Sequence, residues 1–203
     1  MAEKLLFATS NPHKLREVRE IFKDQYQIVG LDSIGFDQEI PETQGTIEGN
    51  AAQKARYLAG HTRLPVFAED TGLLVDALDG APGVHSARYA GFGSSDKENV
   101  EKLLEDMEGL NDRNAHFLTV VAYYDHQNEP VLFHGKIEGK IIDQPRGTQG
   151  FGYDPVFMPE GYEKTFAELD ASIKNRISHR KRAFDSFFAY FEKINGRSSS
   201  DEG

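Results

Sequence analysis

The chain changes rhythm about halfway along, and that change limits the sheet it can build. In its first half, short apolar runs alternate with segments of helical period. In its second half, two long strand-like runs, 115–124 and 130–142, follow each other across the polar turn 125–129. Strands joined through helices pair in parallel, whereas strands joined by a short turn pair antiparallel. The expectation is an α/β fold with a mixed β-sheet and flanking helices.

The individual segments fit that plan. Residues 5–9 read as a buried strand, and Ser10, Asn11 and Pro12 then read as a helix start, with a capping side chain and proline in the first turn. Leu15, Val18 and Phe22 mark the apolar face of that helix. A second strand is expected over 26–31, followed by an acid-rich and turn-rich loop, 32–45. Residues 46–60 read as a helix with Ile47, Ala51, Ala55 and Leu58 on one side. Short strands are expected over 65–68 and 73–78, then a Gly/Pro loop, 80–83. Ser95 with Glu98 forms a capping-box pattern ahead of Val100, Leu103, Leu104 and Met107. Residues 143–162 read as a Gly/Pro-rich loop. The last helix, 178–194, carries Phe184, Phe187, Phe188 and Phe191. The expectation is one domain over 1–196, made of two lobes sharing a sheet, with a disordered tail over 197–203.

Composition removes several function classes. A chain of 203 residues buries enough apolar surface to need no staple. It has no cysteine, which excludes disulfides, thiolate catalysis and Cys-ligated zinc, and suits a reducing cytosol. The opening MAEKLLFATS is too short in apolar content for a signal peptide, and no run reaches membrane-spanning length. The expectation is a cytoplasmic protein with no membrane partner. The net charge of −10, from 23 Lys+Arg against 33 Asp+Glu, argues against nucleic acid as a partner, because the phosphate backbone wants basic stripes. A small polyanion would have to be held by local lysines and arginines against the overall field.

Five segments can carry chemistry. In Thr9-Ser10-Asn11-Pro12-His13-Lys14 a strand end, short polar residues and an amine in the first helical turn make either an ordinary capped helix or an anion site. No P-loop glycine pattern occurs anywhere. Lys54 shares a helical stripe with Ile47, Ala51 and Leu58, so it either snorkels at the core edge or points into a polar cleft. Glu42, just upstream, could give it a negative partner or serve as a metal ligand. In the stretch 66–72 an apolar strand ends in Glu69, Asp70 and a Thr71-Gly72 turn, delivering carboxylates of the kind magnesium accepts. Neighbouring side chains on an extended segment point to opposite sides, so Glu69 and Asp70 should not share one job. Gly150, Phe151, Gly152, Tyr153 and Asp154 allow close backbone approach and ring stacking on a base, or simply a tight loop capping the core. Lys174 with Ser178, His179 and Arg180 places basic donors at a helix start, where the dipole disfavours cations unless an acceptor-rich partner is present. The alternative is an ordinary basic helix face.

Taken together, TSNPHK, PETQG followed by NAAQKA, AEDTGLLVDALDGAPGVHSARYAG, HGKIEGKI, GFGYDPVF and KNRISHRKRA resemble, in order, the inosine/xanthosine triphosphate pyrophosphatase (Ham1-like) family. The resemblance runs from Thr9 to about Ala183. It implies an elongated mixed sheet, two lobes around a central cleft and a homodimer. It also implies a purine nucleoside triphosphate substrate (ITP, dITP or XTP), magnesium as cofactor, and cleavage between the α- and β-phosphates. By carry-over, Thr9, Ser10, Asn11, Pro12, His13, Lys14 and Lys54 would hold the phosphates. Asp70 would be the catalytic base and a metal contact, Glu42 a second metal contact, and Thr71 a substrate contact. Phe151 would pack on the purine with Gly152, Tyr153 and Asp154 beside it, and Lys174, His179 and Arg180 would bind the base edge. Glu69 stands where many members carry Asp, and Ser10 where glycine is frequent. An aspartate with an ordinary value of about 3.9 would be a weak base, acting mainly by positioning water. Donors aimed at a 6-oxo group would meet another donor in adenine, and such a site can discriminate by roughly 10⁴-fold.

Overall fold

The computed structural model describes residues 4–22 and 26–194. The tail expected over 197–203 lies outside these residues, as do the side chains of His13 and Phe22. The elements are β1 (Lys4–Phe7), α1 (Pro12–Phe22), β2 (Gln27–Val29), α2 (Ile47–Ala59), β3 (Val66–Val75) and α3 (Asp96–Asp106), followed by β4 (Asn114–Tyr124), β5 (Val131–Ile141), β6 (Phe157–Pro159), α4 (Ala171–Ile177) and α5 (His179–Ile194). One six-stranded sheet runs in the order β2-β1-β3-β4-β5-β6. β1 pairs in parallel with β2 and with β3, as helical connections require, while β5 and β6 pair antiparallel. The sheet is mixed, as the change of rhythm requires. Among the described residues no helix is long and apolar enough to cross a membrane.

Four elements differ from what the sequence suggests. The runs 65–68 and 73–78 are one ten-residue strand, β3. Its acids and glycine look like a turn, yet all its residues but Thr71 and Leu74 are buried. The loop expected over 143–162 contains β6, and Lys174 sits on α4, a seven-residue helix that the reading left out. Its N-cap residue is Asp170, a type that often caps helices, but the side chain makes no cap bond here. The second strand is also shorter than expected, because Leu31–Ile34 coil into a 3₁₀ turn.

The chain divides into two compact units, the first formed by residues through Asp70 with Val120–Phe133 and the segment from Phe187, the second by Thr71–Thr119 with His134–Ser186. In the first unit, the register that sets Phe7 against Phe67 stacks their rings at 4.6 Å, and Phe187 of α5 packs on Phe67 at 5.2 Å. Tyr26 closes this layer against Phe188 at 5.0 Å. In the second unit, Leu73, Val100, Leu103, Phe117, Phe157 and Phe166 form a continuous core. α3 enters it through a complete capping box: Ser95 Oγ accepts from Glu98 N, and Glu98 accepts from Ser95 N. Both cores rest on period-2 and period-3.6 apolar patterning, which is why the sequence locates them.

Candidate active site

β1 delivers the chain into a turn that its own side chains organise. Thr9 Oγ1 accepts from Asn11 N at 3.1 Å, and Asn11 Oδ1 accepts from Lys14 N at 3.3 Å, so Asn11 caps α1 with Pro12 as its first helical residue. Ser10, Asn11 and Pro12 are exposed. A hollow of about 300 Å³ opens beside this turn, bordered by Thr9, Ser10 and Asn11 but also by Asp32 and Asp37. Those two carboxylates would repel a polyphosphate, so this hollow is unsuited to one, whereas the other side of the turn carries Lys14.

β3 brings the acids. Alternation along the strand sends Glu69 and Asp70 to opposite faces, and each meets a different lysine. Glu69, with 1% of its side chain exposed, pairs with Lys14 at 2.8 Å. Asp70 pairs with Lys54 at 3.0 Å, and the same ammonium lies 2.7 Å from Glu42. Lys54 is therefore buried in a polar cluster, which settles the alternative between snorkelling and pairing. α2 begins at the Thr46 cap, whose hydroxyl accepts from Gly49 N at 3.0 Å. The loop carrying Glu42 is tied down onto that helix. Gln53 bonds Thr43 at both ends, through Oε1 at 2.9 Å and Nε2 at 2.8 Å, while the buried Asn50 accepts from Gln44 N at 2.9 Å.

The electrostatics follow from two carboxylates sharing one ammonium. Burial alone would lower the Lys54 pKa, but Asp70 and Glu42 outweigh it and hold the ammonium above its usual value. Asp70 moves upward as well. Burial is the largest cause and Glu42 adds to it, against the downward pull of Lys54 and, more weakly, Lys14. Asp70 is thus a stronger base than the ordinary aspartate assumed from sequence, and both lysines act on the same carboxyl.

The second unit carries the aromatic loop. Gly150 and Gly152 adopt φ of 81° and 61°, and between them Phe151 presents a ring that is 50% exposed. Asp154 Oδ2 accepts from Phe151 N at 2.9 Å and from Lys174 Nζ at 2.5 Å. Lys174 Nζ lies 5.0 Å from the Phe151 ring centroid, and the guanidinium carbon of Arg180 lies 5.6 Å from it. Tyr153 is buried, its hydroxyl donating to Ser86 O at 2.8 Å, and burial pushes its phenol pKa up. Ser178 caps α5 through Lys181 N at 3.1 Å, and the His179 ring stacks on Phe117 at 4.7 Å. A Cβ at Gly135 would sit 2.0 Å from His179 O, so β5 accepts the first turn of α5 only because glycine stands there. This gives the HGKIEGKI motif a physical reason.

Of the residues expected from sequence, Lys14, Lys54, Glu42 and Asp70 meet in the first unit, together with Glu69. Phe151, Gly152, Tyr153, Asp154, Lys174, His179 and Arg180 gather in the second. Thr71 opens the second unit, its hydroxyl 2.6 Å from that of the fully buried Thr119. Thr119 and Asp96, which accepts from Gly152 N at 2.7 Å, escaped the sequence reading.

The sequence profile described as the Ham1 family matches residues 5–190. The chain belongs to the Ham1 family. Among curated Ham1 relatives, a Porphyromonas gingivalis protein named dITP/XTP pyrophosphatase is 53% identical over 182 residues, covering 89% of this chain and 93% of the relative. One of the same name from Christiangramia forsetii is 46% identical, covering 94% of this chain and all of the relative. Among solved structures, the Staphylococcus aureus Ham1 protein superposes with a TM-score of 0.88 at 38% identity, covering 95% of this chain and 100% of that one. A HAM1 protein from Coxiella burnetii gives 0.89 at 39% identity, covering 94% and 99%.

Proposed function

We propose that this Ham1-family protein hydrolyses the non-standard purine triphosphates ITP, dITP and XTP to the monophosphate and pyrophosphate, removing them from the nucleotide pool. The observation that carries the proposal is the cluster in the first unit. A buried aspartate of raised pKa lies 3.0 Å from one lysine and within the field of another. That is a base beside two cations, which is what a triphosphate and its attacking water require.

The phosphate end of the substrate is assigned to the turn of Thr9, Ser10, Asn11, Pro12, His13 and Lys14 and to Lys54, which supply amide donors and ammonium charge. Asp70 orients a water and takes its proton as the water oxygen bonds to phosphorus. The bridging oxygen between the α- and β-phosphates leaves with the pyrophosphate, its developing charge met by the lysines. The donor chemistry fits magnesium: Glu42 and Asp70 are two carboxylates around one site, and this ion takes one or two carboxylates plus phosphate oxygens and water. Among the described residues no cluster of three acidic or histidine ligands exists, and none is needed for that coordination. Bound there, magnesium would neutralise phosphate charge.

In the second unit, Phe151 is the stacking surface for the purine, with Gly152, Tyr153 and Asp154 holding it, and Lys174, His179 and Arg180 facing the base edge. Thr71 is assigned a substrate contact. Donor-bearing cations favour a 6-oxo purine over a 6-amino one. The reading also includes a homodimer, which light scattering on the purified protein checks, and a cytoplasmic setting.

Pyrophosphate release from ITP, dITP, XTP, GTP and ATP with magnesium, wild type against Asp70→Asn, is the test. Release from the deaminated purines, abolished in Asp70→Asn and absent with EDTA, is expected. Equal turnover of ATP and ITP, or undiminished release by the variant, would refute the assignment.

A further inference from the structure

The aromatic loop is secured partly by its own Asp154 and partly from the segment that carries Ser86. Phe151 N is met by Asp154, and the Tyr153 hydroxyl by Ser86. Gly152 differs. Its amide donates to Asp96 Oδ2 at 2.7 Å, and Asp96 is the first residue of α3, remote in sequence and outside every motif that marks the base site. The carboxylate is not needed by its own helix, because Ser95 and Glu98 already complete the capping box there. An exposed acid at this position would normally be a solvated surface charge. Here it closes a charge-assisted bond to the residue that follows the stacking ring.

We infer that Asp96 is a positioning residue for the base site, latching the Gly152 amide to α3 and so fixing the plane of Phe151. The inference rests on the base-binding reading of Phe151 given above. The physical argument concerns the half-exposed ring. Gly152 sits in the left-handed region at φ 61° with no side chain to pack, and the peptide that joins it to Phe151 is held by hydrogen bonds at its two ends, the Phe151 carbonyl accepting from Asp154 N at 3.3 Å. The hydrogen bond to Asp96 holds the amide end, and at 2.7 Å it is the shorter of the two. A stacking ring that must be ordered by the ligand binds more weakly than one held in advance. Removing the latch therefore weakens capture of the base more than it slows chemistry at the phosphates.

The experiment compares wild type, Asp96→Ala and Asp96→Asn in the full chain. With ITP and magnesium, Asp96→Ala is expected to raise KM about fivefold or more while kcat stays within about twofold, and to narrow the preference for ITP over ATP in kcat/KM. Asp96→Asn keeps an amide oxygen that can accept from Gly152, and is expected to recover most of the loss. A purely structural role at the start of α3 would lower the unfolding temperature without changing base preference. Amide hydrogen exchange at Gly152 reads the latch without substrate and should accelerate at least about tenfold in Asp96→Ala. Unchanged exchange overturns the latch even if hydrolysis stands. Faster exchange with unchanged KM and base preference overturns its role in positioning Phe151. A wild type that releases no pyrophosphate overturns the hydrolase reading, and the base-site role of Asp96 with it.

Discussion

Replacing Lys54 by methionine tests the cluster on which the proposed chemistry depends. Methionine keeps the length of the stem and deletes the ammonium that lies 2.7 Å from Glu42 and 3.0 Å from Asp70. The Lys54 side chain is 7% exposed and that of Asp70 12%, so Asp70 would be left with a desolvated charge. The Glu42 side chain is 37% exposed and can turn toward water. Breaking a buried pair by removing one partner costs about 3–5 kcal/mol, and the freedom of Glu42 places this case at the lower end, near ~3 kcal/mol. For a chain of this length that lowers Tm by about 6–12 °C. Adding Asp70→Asn in the same background removes the stranded charge and should restore a good part of the loss, a coupling of at least about 1 kcal/mol in the double-mutant cycle. The sign with pH is fixed. Lys54 pulls the Asp70 pKa down against burial, so its removal lifts that already raised value further, and the deficit of Lys54→Met narrows as pH falls from the variant's folded pKa of Asp70 toward the wild type's. Urea and thermal unfolding followed by circular dichroism, in buffer containing EDTA, measure all three quantities. A Lys54→Met protein as stable as wild type, or one that Asp70→Asn leaves unimproved, would refute the account of the cluster as a buried, mutually neutralising set.

Two further outcomes concern the second unit. Gly150→Ala places a Cβ 2.0 Å from Asp154 Oδ2 at a φ of 81°, so the left-handed penalty of about 1–2 kcal/mol combines with displacement of the carboxylate that holds Lys174. KM for ITP should rise about tenfold, and an unchanged value would mean that Asp154 does not organise the site. The capping box holds a carboxyl whose pKa is shifted in the opposite direction to that of Asp70. Hydrogen bonds from the Ser95 amide and hydroxyl hold the Glu98 carboxyl below its usual range, so that stabilisation is present above the unfolded value and is lost as pH falls through the folded one. Ser95→Ala should lower Tm by about 2–4 °C at neutral pH, with part of the difference lost in acid as Glu98 stops accepting from the hydroxyl, and an unchanged Tm would exclude a stabilising cap.

What the sequence disclosed and what it concealed follow from how far each interaction reaches along the chain. The α1 start and the capping box were legible because cap and partner lie within three residues of each other. β3 reads from sequence as two strands because Glu69, Asp70 and Gly72 look like a turn when considered alone. Their tolerance inside a sheet depends on Lys14 and Lys54, which arrive from other elements. α4 is hard to read from sequence because seven residues are too few for a helical period to show, even with Asp170 at its N-cap, and so short a helix depends on packing. Asp96 and Thr119 were invisible for a related reason. One partner is a backbone amide and the other a hydroxyl 48 residues away, and neither pairing leaves a compositional trace.

The bonds from Gln53 and Asn50 to the segment after Glu42 have a consequence for how the centre meets a ligand. Because the acid-bearing loop is stitched to the helix that supplies Lys54, the two opposite charges assemble when the chain folds rather than when a guest arrives. In the proposed reaction an incoming triphosphate would then meet charges already oriented, with little reorientation of dipoles left to slow it.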